Sequence, residues 1–334
     1  MALSKPTLLS ILALTKGSLA WGTLGHDTVA FIAQHFVSNA TASFASSLLN
    51  DSSSAYLANV ATWADSYRYT ADGAFSAPLH YIDALDDPPA SCDVEYERDC
   101  PEEGCIVSAI ANYTGRVTAK DVKREEQQKA LKWVIHFLGD IHQPLHVENL
   151  EIGGNGINVS FAGQSTNLHH IWDSNMPEKL IGGYSLEDAR DWSEELVGEI
   201  VSGKYANASK GWLEGIDIKN PVDSAMVWAR DANSFVCDTV VPEGQAAVEG
   251  KELDGEYYDA AIPVIQMQIA KAGYRLAAWL DLIVEGEKGE YATGHSTKEV
   301  VAKRGEAKLE DWMVEARRVR RAFGYNCGAE GHKH

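Results

Sequence analysis

The chain has 334 residues, 45% hydrophobic and 23% charged, with a formal net charge of −19. This is ordinary soluble globular composition, enough for one large domain or two smaller ones. Residues 1–20 carry two lysines, and residues 285–334 carry ten basic against nine acidic side chains, so residues 21–284 hold −22. That sign excludes broad electrostatic binding to nucleic acid, and any phosphate substrate has to be held locally.

In chain order, Lys5 precedes an apolar run from Leu8 to Leu14, and Ser18-Leu-Ala20 has the small-x-small form of a cleavage site. Residues 1–20 read as a secretory signal peptide, too short to span a bilayer. The mature protein is expected to start at Trp21 and to be secreted. Val29, Ile32, Ala33, Phe36 and Val37 mark one face of a helix. Further helices are predicted over 54–68, 106–118 and 125–140. Ile157, Val159 and Phe161 alternate before Ala162-Gly163, which predicts a small hairpin. Helices follow over 185–201, 222–240 and 256–284. In the last, Ile265, Ile269, Ala272, Leu276, Leu280 and Ile283 recur at helical spacing. One all-α domain is therefore expected over 21–284.

Residues 285–334 differ. Gly286, Gly289 and Gly294 suggest flexibility; then Leu309, Trp312, Ala316, Val319 and Phe323 fall at helical spacing beside Arg317, Arg318, Arg320 and Arg321. The plain reading is a helix docked on, or loosely attached to, the domain. The sharper reading is a basic arm that captures long polyanions.

Five cysteines in an exported chain read as disulfide partners. Cys92, Cys100, Cys105 and Cys237 allow three pairings; one closes a small loop at Cys100–Cys105 and leaves Cys92 for Cys237. Cys327 is left over. Sequons at Asn39, Asn50, Asn112, Asn158 and Asn207 are candidate surface glycan sites.

The chemistry concentrates in two segments. Leu131 to His146 contains His136, Asp140, His142 and His146; Asn167 to Asp173 contains His169, His170 and Asp173. His136 and Asp140 are four apart, as are His169 and Asp173, so each pair shares a helix face. Imidazole nitrogen and carboxylate oxygen are the donors zinc prefers when thiolate is absent. Upstream lie Trp21 and His26, then Asp65 with Arg68 one turn on, then His80 after Pro78. Any one of these alone is more often a cap or a satisfied buried group. Together they predict the wall of a metal site.

The runs Trp21 to His26, Tyr56 to Asp65, Gly139 to His146, Gly153 to Gly156, Asn167 to Asp173 and Ala272 to Leu280 resemble the secreted single-strand-specific zinc nucleases of fungi. The resemblance covers essentially all of 21–284. It implies a single mainly helical domain of the zinc phospholipase C and nuclease type, with a small β-hairpin, two disulfides and a three-zinc cleft. The cysteine pairs above agree with it. It implies Asp65, His80, His136 and Asp140 at the first zinc, and His146, His169 and Asp173 at the second. His26 would hold the third with the amine and carbonyl of Trp21, Asp140 reaching it too. His142 and His170 are not ligands in the family, though spacing alone leaves His170 open.

The resemblance further implies that water activated between zinc ions attacks phosphorus, oriented by Asp65, with Arg68 on the phosphate. Products would carry 5′-phosphates, and 3′-nucleotides would lose their phosphate. Tyr81 would stack an unpaired base whose edge meets Asp83 and Asn155. Substrates would be single-stranded DNA, RNA and 3′-nucleotides, the protein a monomer away from membranes. Two rivals remain: a zinc phospholipase C, which the Tyr81, Asp83 and Asn155 set disfavours, and a secreted zinc-binding glycoprotein without catalysis.

Overall fold

The computed structural model describes residues 21–286. The expected signal peptide, the tail after Gly286 and Cys327 lie outside the described residues.

The first helix, α1 (Thr23–Phe36), sits at the centre of the molecule. The sequence suggests one apolar face, but every side from Leu24 to Gln34 is buried. The reason is that helices pack on several sides of it at once. Two of them, α10 (Leu186–Val201) and α12 (Glu256–Glu285), make the main contacts. Gly273 of α12 allows the closest approach, because a Cβ there would meet the Ile32 Cβ at 2.4 Å.

The intervening elements are α2 (Asn39–Leu49), α3 (Ala58–Ala61), α4 (Trp63–Tyr67), α5 (Tyr96–Asp99), α6 (Ile106–Val117) and α7 (Arg124–Asp140). After β1 (Asn158–Phe161) and β2 (Gln164–Asn167) come α8 (Leu168–His170) and α9 (Met176–Ile181), and α11 (Pro221–Phe235) lies between α10 and α12. The helix expected over 54–68 is broken. Residues 54–57 are outside any helix, and α3 ends at Thr62 (φ −96°, ψ 3°) before α4 begins. The break frees the carbonyl of Ala61, which holds the His136 side chain. The helix expected over 222–240 ends at Phe235, and a wider π turn over Val236–Val240 carries Cys237. The other predicted helices match α6, α7, α10 and α12 closely. The hairpin is present: β1 and β2 pair antiparallel, Asn158 opposite Asn167. Ala162 and Gly163 both take positive φ (51° and 74°), as the primed turn of a two-residue hairpin requires.

Cys92–Cys237 and Cys100–Cys105 are the disulfides, one of the three pairings the sequence allowed. All five sequon asparagines are exposed. Among the described residues no helix is long and apolar enough to cross a membrane.

Candidate metal centre

The site forms where α1, α4 and the end of α7 meet two short turns. His26 is on α1, Asp65 on α4, and His136 and Asp140 on the last turns of α7. His80 ends a 3-10 turn over Ala74–His80, and His146 lies in a second one over Pro144–Val147. His169 and Asp173 lie on α8 and the π turn Ile171–Asn175 that continues it. Such π turns recur at functional sites, where they re-aim a side chain.

Eight residues converge in two groups. In the larger, Asp140 is the hub: Oδ2 lies 3.0 Å from His80 Nδ1 and 3.2 Å from His136 Nε2, and Oδ1 lies 3.1 Å from His26 Nε2. Asp65 Oδ1 is 3.6 Å from His136 Nε2. The His26 and His136 rings stack at 4.0 Å. Two triads fit a cation here, His26–Asp65–His136 and His80–His136–Asp140. The smaller group is a third, His146–His169–Asp173. There His169 Nε2 is 3.1 Å from Asp173 Oδ2, and His146 Nε2 is 4.0 Å from Asp173 Oδ1. Gln143 steadies it, its amide donating to Asp173 Oδ1 at 2.6 Å. All eight side chains are buried.

The donor set fits metal ions on the tautomers alone. A carbonyl can only accept, so each Nδ1 facing one carries the proton. His136 Nδ1 donates to Ala61 O at 2.7 Å, His146 Nδ1 to His80 O at 2.8 Å, and His169 Nδ1 to Gly153 O at 2.5 Å. That leaves the Nε2 lone pairs turned inward, the orientation metal-binding histidines take from their carbonyl partners. His146 Nε2 and His169 Nε2 then face each other at 3.1 Å. Both His26 ring nitrogens, one Asp65 oxygen and one Asp140 oxygen are buried without a hydrogen bond. Lone pairs and carboxylates crowded this way require cations. The three His/Asp clusters match three zinc ions, the metal suited to N and O donors without thiolate.

Titration agrees. Burial alone would lower His136, but the Asp140 and Asp65 carboxylates push it up to about 9. Burial opposes ionisation of Asp140, yet His136, His26 and His80 hold it well below the usual carboxylate range. Burial lowers His146 to about 4.

The neighbouring residues sort cleanly. His170 is exposed and stands outside all the clusters, so His169 is the member the spacing left undecided. His142 is buried away from them, its Nδ1 donating to Leu138 O and its Nε2 meeting Arg275 at 3.0 Å. Trp21 is fully buried, and the next amide, of Gly22, donates to Asp173 O at 2.8 Å. Trp21 and Gly22 therefore lie against the second group. Gly139 packs on His26: a Cβ there would lie 2.7 Å from His26 Nδ1.

Tyr81 follows His80 and is 39% exposed. Burial and the Asp83 charge raise its hydroxyl pKa while Arg68 lowers it, so the three share one neighbourhood. Arg68 bonds the Tyr69 hydroxyl at 3.0 Å. Asn155 follows four consecutive residues with positive φ, Glu151 to Gly154, and bonds Ile152 O at 2.9 Å. The same turn supplies the Gly153 carbonyl that orients His169. Gln143, Gly139 and the carbonyls of Ala61, His80 and Gly153 were not foreseen. Only the Gly139-Asp140 and Gln143-Pro144 context hinted at any of them.

A fourth grouping, Asp86–Cys92–Glu148, has acidic donors, but Cys92 is in a disulfide and offers no thiolate.

The S1/P1 Nuclease family profile matches residues 21–285. Nuclease S1 of Aspergillus oryzae is 55% identical over 278 residues, 83% of this chain and 96% of that protein. Nuclease PA3 of a Penicillium species is 52% identical over 263 residues, 79% of this chain and 97% of its own. Endonuclease 2 of Arabidopsis thaliana is 32% identical over 274 residues, 79% of this chain and 90% of its own. A helical domain with a three-cluster His/Asp centre and a profile match across nearly all of its described residues leads to one assignment: the chain belongs to the S1/P1 nuclease family.

Proposed function

We propose that the protein is a secreted zinc-dependent nuclease that hydrolyses single-stranded DNA and RNA to 5′-phosphate products and removes the phosphate of 3′-nucleotides. The observation that carries this is the inward-facing set of lone pairs in the three clusters, with Tyr81 next to His80 in the chain and near Arg68 and Asp83. The two disulfides suit an oxidising, extracellular setting.

Asp65, His80, His136 and Asp140 would hold one zinc, His146, His169 and Asp173 a second. His26 and Asp140 would hold a third with the amine and carbonyl of Trp21 once residues 1–20 are removed. When bound, zinc supplies Lewis acidity to the phosphate and lowers the pKa of water. The chain's own groups do the rest. Asp65 has a buried oxygen without a hydrogen bond, well suited to orienting a nucleophilic water and accepting its proton. Arg68 offers charge-assisted hydrogen bonds to phosphate oxygens as negative charge shifts onto them. Tyr81 presents a ring face to a base, and Asp83 and Asn155 offer polar groups to its edge. Stacking of this kind is worth about 1–3 kcal/mol per base. A base reaches such a pocket only when unpaired or flipped out, which accounts for single-strand preference. The catalytic unit is a monomeric domain over 21–284, with residues 285–334 as an appended tail.

The test compares a single-stranded 20-mer, its duplex and 3′-AMP as substrates of the zinc-loaded protein. Expected are cleavage of the single strand to 5′-phosphorylated ends, slow attack on the duplex, and release of phosphate from 3′-AMP. Stoichiometric zinc without hydrolysis of any of them would overturn the reading. Release of phosphocholine from phosphatidylcholine in their place would favour the lipase chemistry instead.

A further inference from the structure

Although residues 21–284 are strongly acidic, three cations gather over one aromatic cluster beside the metal centre. Trp133 is its hub. Its ring lies 6.2 Å from the His80 ring, and 5.0, 5.8 and 6.5 Å from the Trp63, Tyr67 and Phe75 rings. Lys132 Nζ lies 5.1 Å from the Trp63 ring, Lys129 Nζ 5.6 Å from the Tyr67 ring, and the Arg116 guanidinium 5.7 Å from the Tyr113 ring.

The counter-charge is small. Glu126 pairs with Lys129 at 3.0 Å and with Arg116 at 3.6 Å. Among the described residues Lys132 has no carboxylate partner, and the charge that acts on it is that of Lys129. Three positive groups against one negative leave a basic patch on an acidic domain. Phe75 is 58% exposed at its margin.

The patch is continuous with the site. Lys132 and Lys129 lie four and seven residues before His136 on α7, along one stripe of the helix. Trp63 and Tyr67 lie on α4 to either side of Asp65. Cation–π pairs alone are a stabilising device worth about 0.5–1 kcal/mol each at exposed sites. That role does not call for cations in excess of their counter-ion, nor for an exposed Phe beside them. Basic groups interleaved with aromatic rings are what single-stranded nucleic acid binds.

We propose that this face is a subsite for the single-stranded polynucleotide beyond the nucleotide being cut, with Lys132, Lys129 and Arg116 tracking phosphates and Phe75 stacking a base. The proposal deepens the nuclease reading and rests on it for the identity of the strand. It explains how an acidic protein holds a polyanion: a short basic track next to the metal centre replaces a basic surface.

The test uses zinc-loaded protein starting at Trp21, with its tail, and two probes. One is fluorescein-labelled (dT)20 with phosphorothioate linkages, followed by anisotropy; the other is hydrolysis of the dinucleotide TpT. K129Q/K132Q is expected to weaken (dT)20 binding about tenfold at low salt. It should also flatten the salt dependence of log Kd by about 1.4, the share of two single-strand phosphates. TpT kinetics should be unchanged. K129R/K132R should bind like the parent, and Glu126→Gln should bind more tightly. The subsite is overturned if K129Q/K132Q binds (dT)20 like the parent, or if TpT hydrolysis falls in step with binding. If the parent hydrolyses no substrate yet (dT)20 binding responds as described, the nuclease reading fails while the nucleic-acid surface stands.

Discussion

His169 and His170 are adjacent in sequence, but only His169 turns its Nε2 to Asp173, while His170 is exposed. His169→Ala should therefore lose one zinc and at least 10² in activity, an order of magnitude set by losing one charge-stabilising group. His170→Ala should keep three zinc ions and near-parental rates; metal analysis beside a rate assay checks both. The ligand types were legible in the sequence because imidazole and carboxylate spaced four apart have few other uses in such density. The groups that aim them were not, since Ala61, His80 and Gly153 act through main-chain carbonyls that leave no mark on residue identity. The base pocket allows a second prediction. Tyr81→Phe should be tolerated, because the ring face does the stacking. Tyr81→Ala should raise KM for mononucleotide-sized substrates about 5- to 150-fold, from the loss of about 1–3 kcal/mol. Steady-state kinetics on 3′-AMP decide it, and an unchanged KM would remove Tyr81 from the pocket. The pH response follows from His136, raised to about 9 without an ion. At pH 7 the metal-free protein carries that proton, and zinc needs the lone pair it occupies, so binding must release it. His146, lowered to about 4, is already neutral and releases none. Zinc affinity should thus climb between pH 7 and 9 and level off above. Calorimetry in two buffers of different ionisation heat measures the released proton, and a flat affinity over that range would contradict the assignment.

At the scale of elements, the long apolar helices could be read directly, and the departures have local causes. The α1 pattern suggested a single apolar face. Its His26 faces the site, Asp27 is buried as well, and Thr28 bonds the Leu24 carbonyl at 2.6 Å. Helix α2 escaped notice because its Asn, Ser, Thr and Ala residues give weak periodicity; it is fixed by the Ser38 cap, which accepts from the Thr41 amide. The break at Thr62 was hidden within an otherwise helical run, yet it exposes the carbonyl that positions His136. Gly139 shows how closely the elements must meet, since a methyl there would collide with the His26 ring. Gly139→Ala should keep the helix, for alanine favours it, and displace His26. The expected result is two zinc ions in place of three and a drop in activity of about tenfold or more, with little loss of helix by circular dichroism. Three retained ions with full activity would mean that α1 and α7 can move apart without cost.

The whole molecule is held by two kinds of clamp that can be separated. The Cys92–Cys237 disulfide spans 145 residues and ties the loop before α5 to the turn after α11. The metal centre draws donors from six stretches between His26 and Asp173, so bound zinc is folding free energy as well as chemistry. The charge of −22 over residues 21–284 pointed away from nucleic acid, and only the local pattern of ligands countered it. A sum over 264 residues does not register a patch of three cations. The two clamps should respond differently to removal. The double substitution C92S/C237S should cost about 2–5 kcal/mol of stability, as loss of a native disulfide does. Below its lowered melting temperature it should still hold three zinc ions and cut single-stranded DNA at the parental rate, because neither sulfur reaches the metal clusters. Chelation by EDTA should lower the melting temperature and abolish activity together, and added zinc should restore both. Calorimetric melts paired with a rate assay at 25 °C separate the cases. If activity survived EDTA, the zinc assignment would fall. If C92S/C237S lost its zinc while still folded, the disulfide would have to be counted as part of the site.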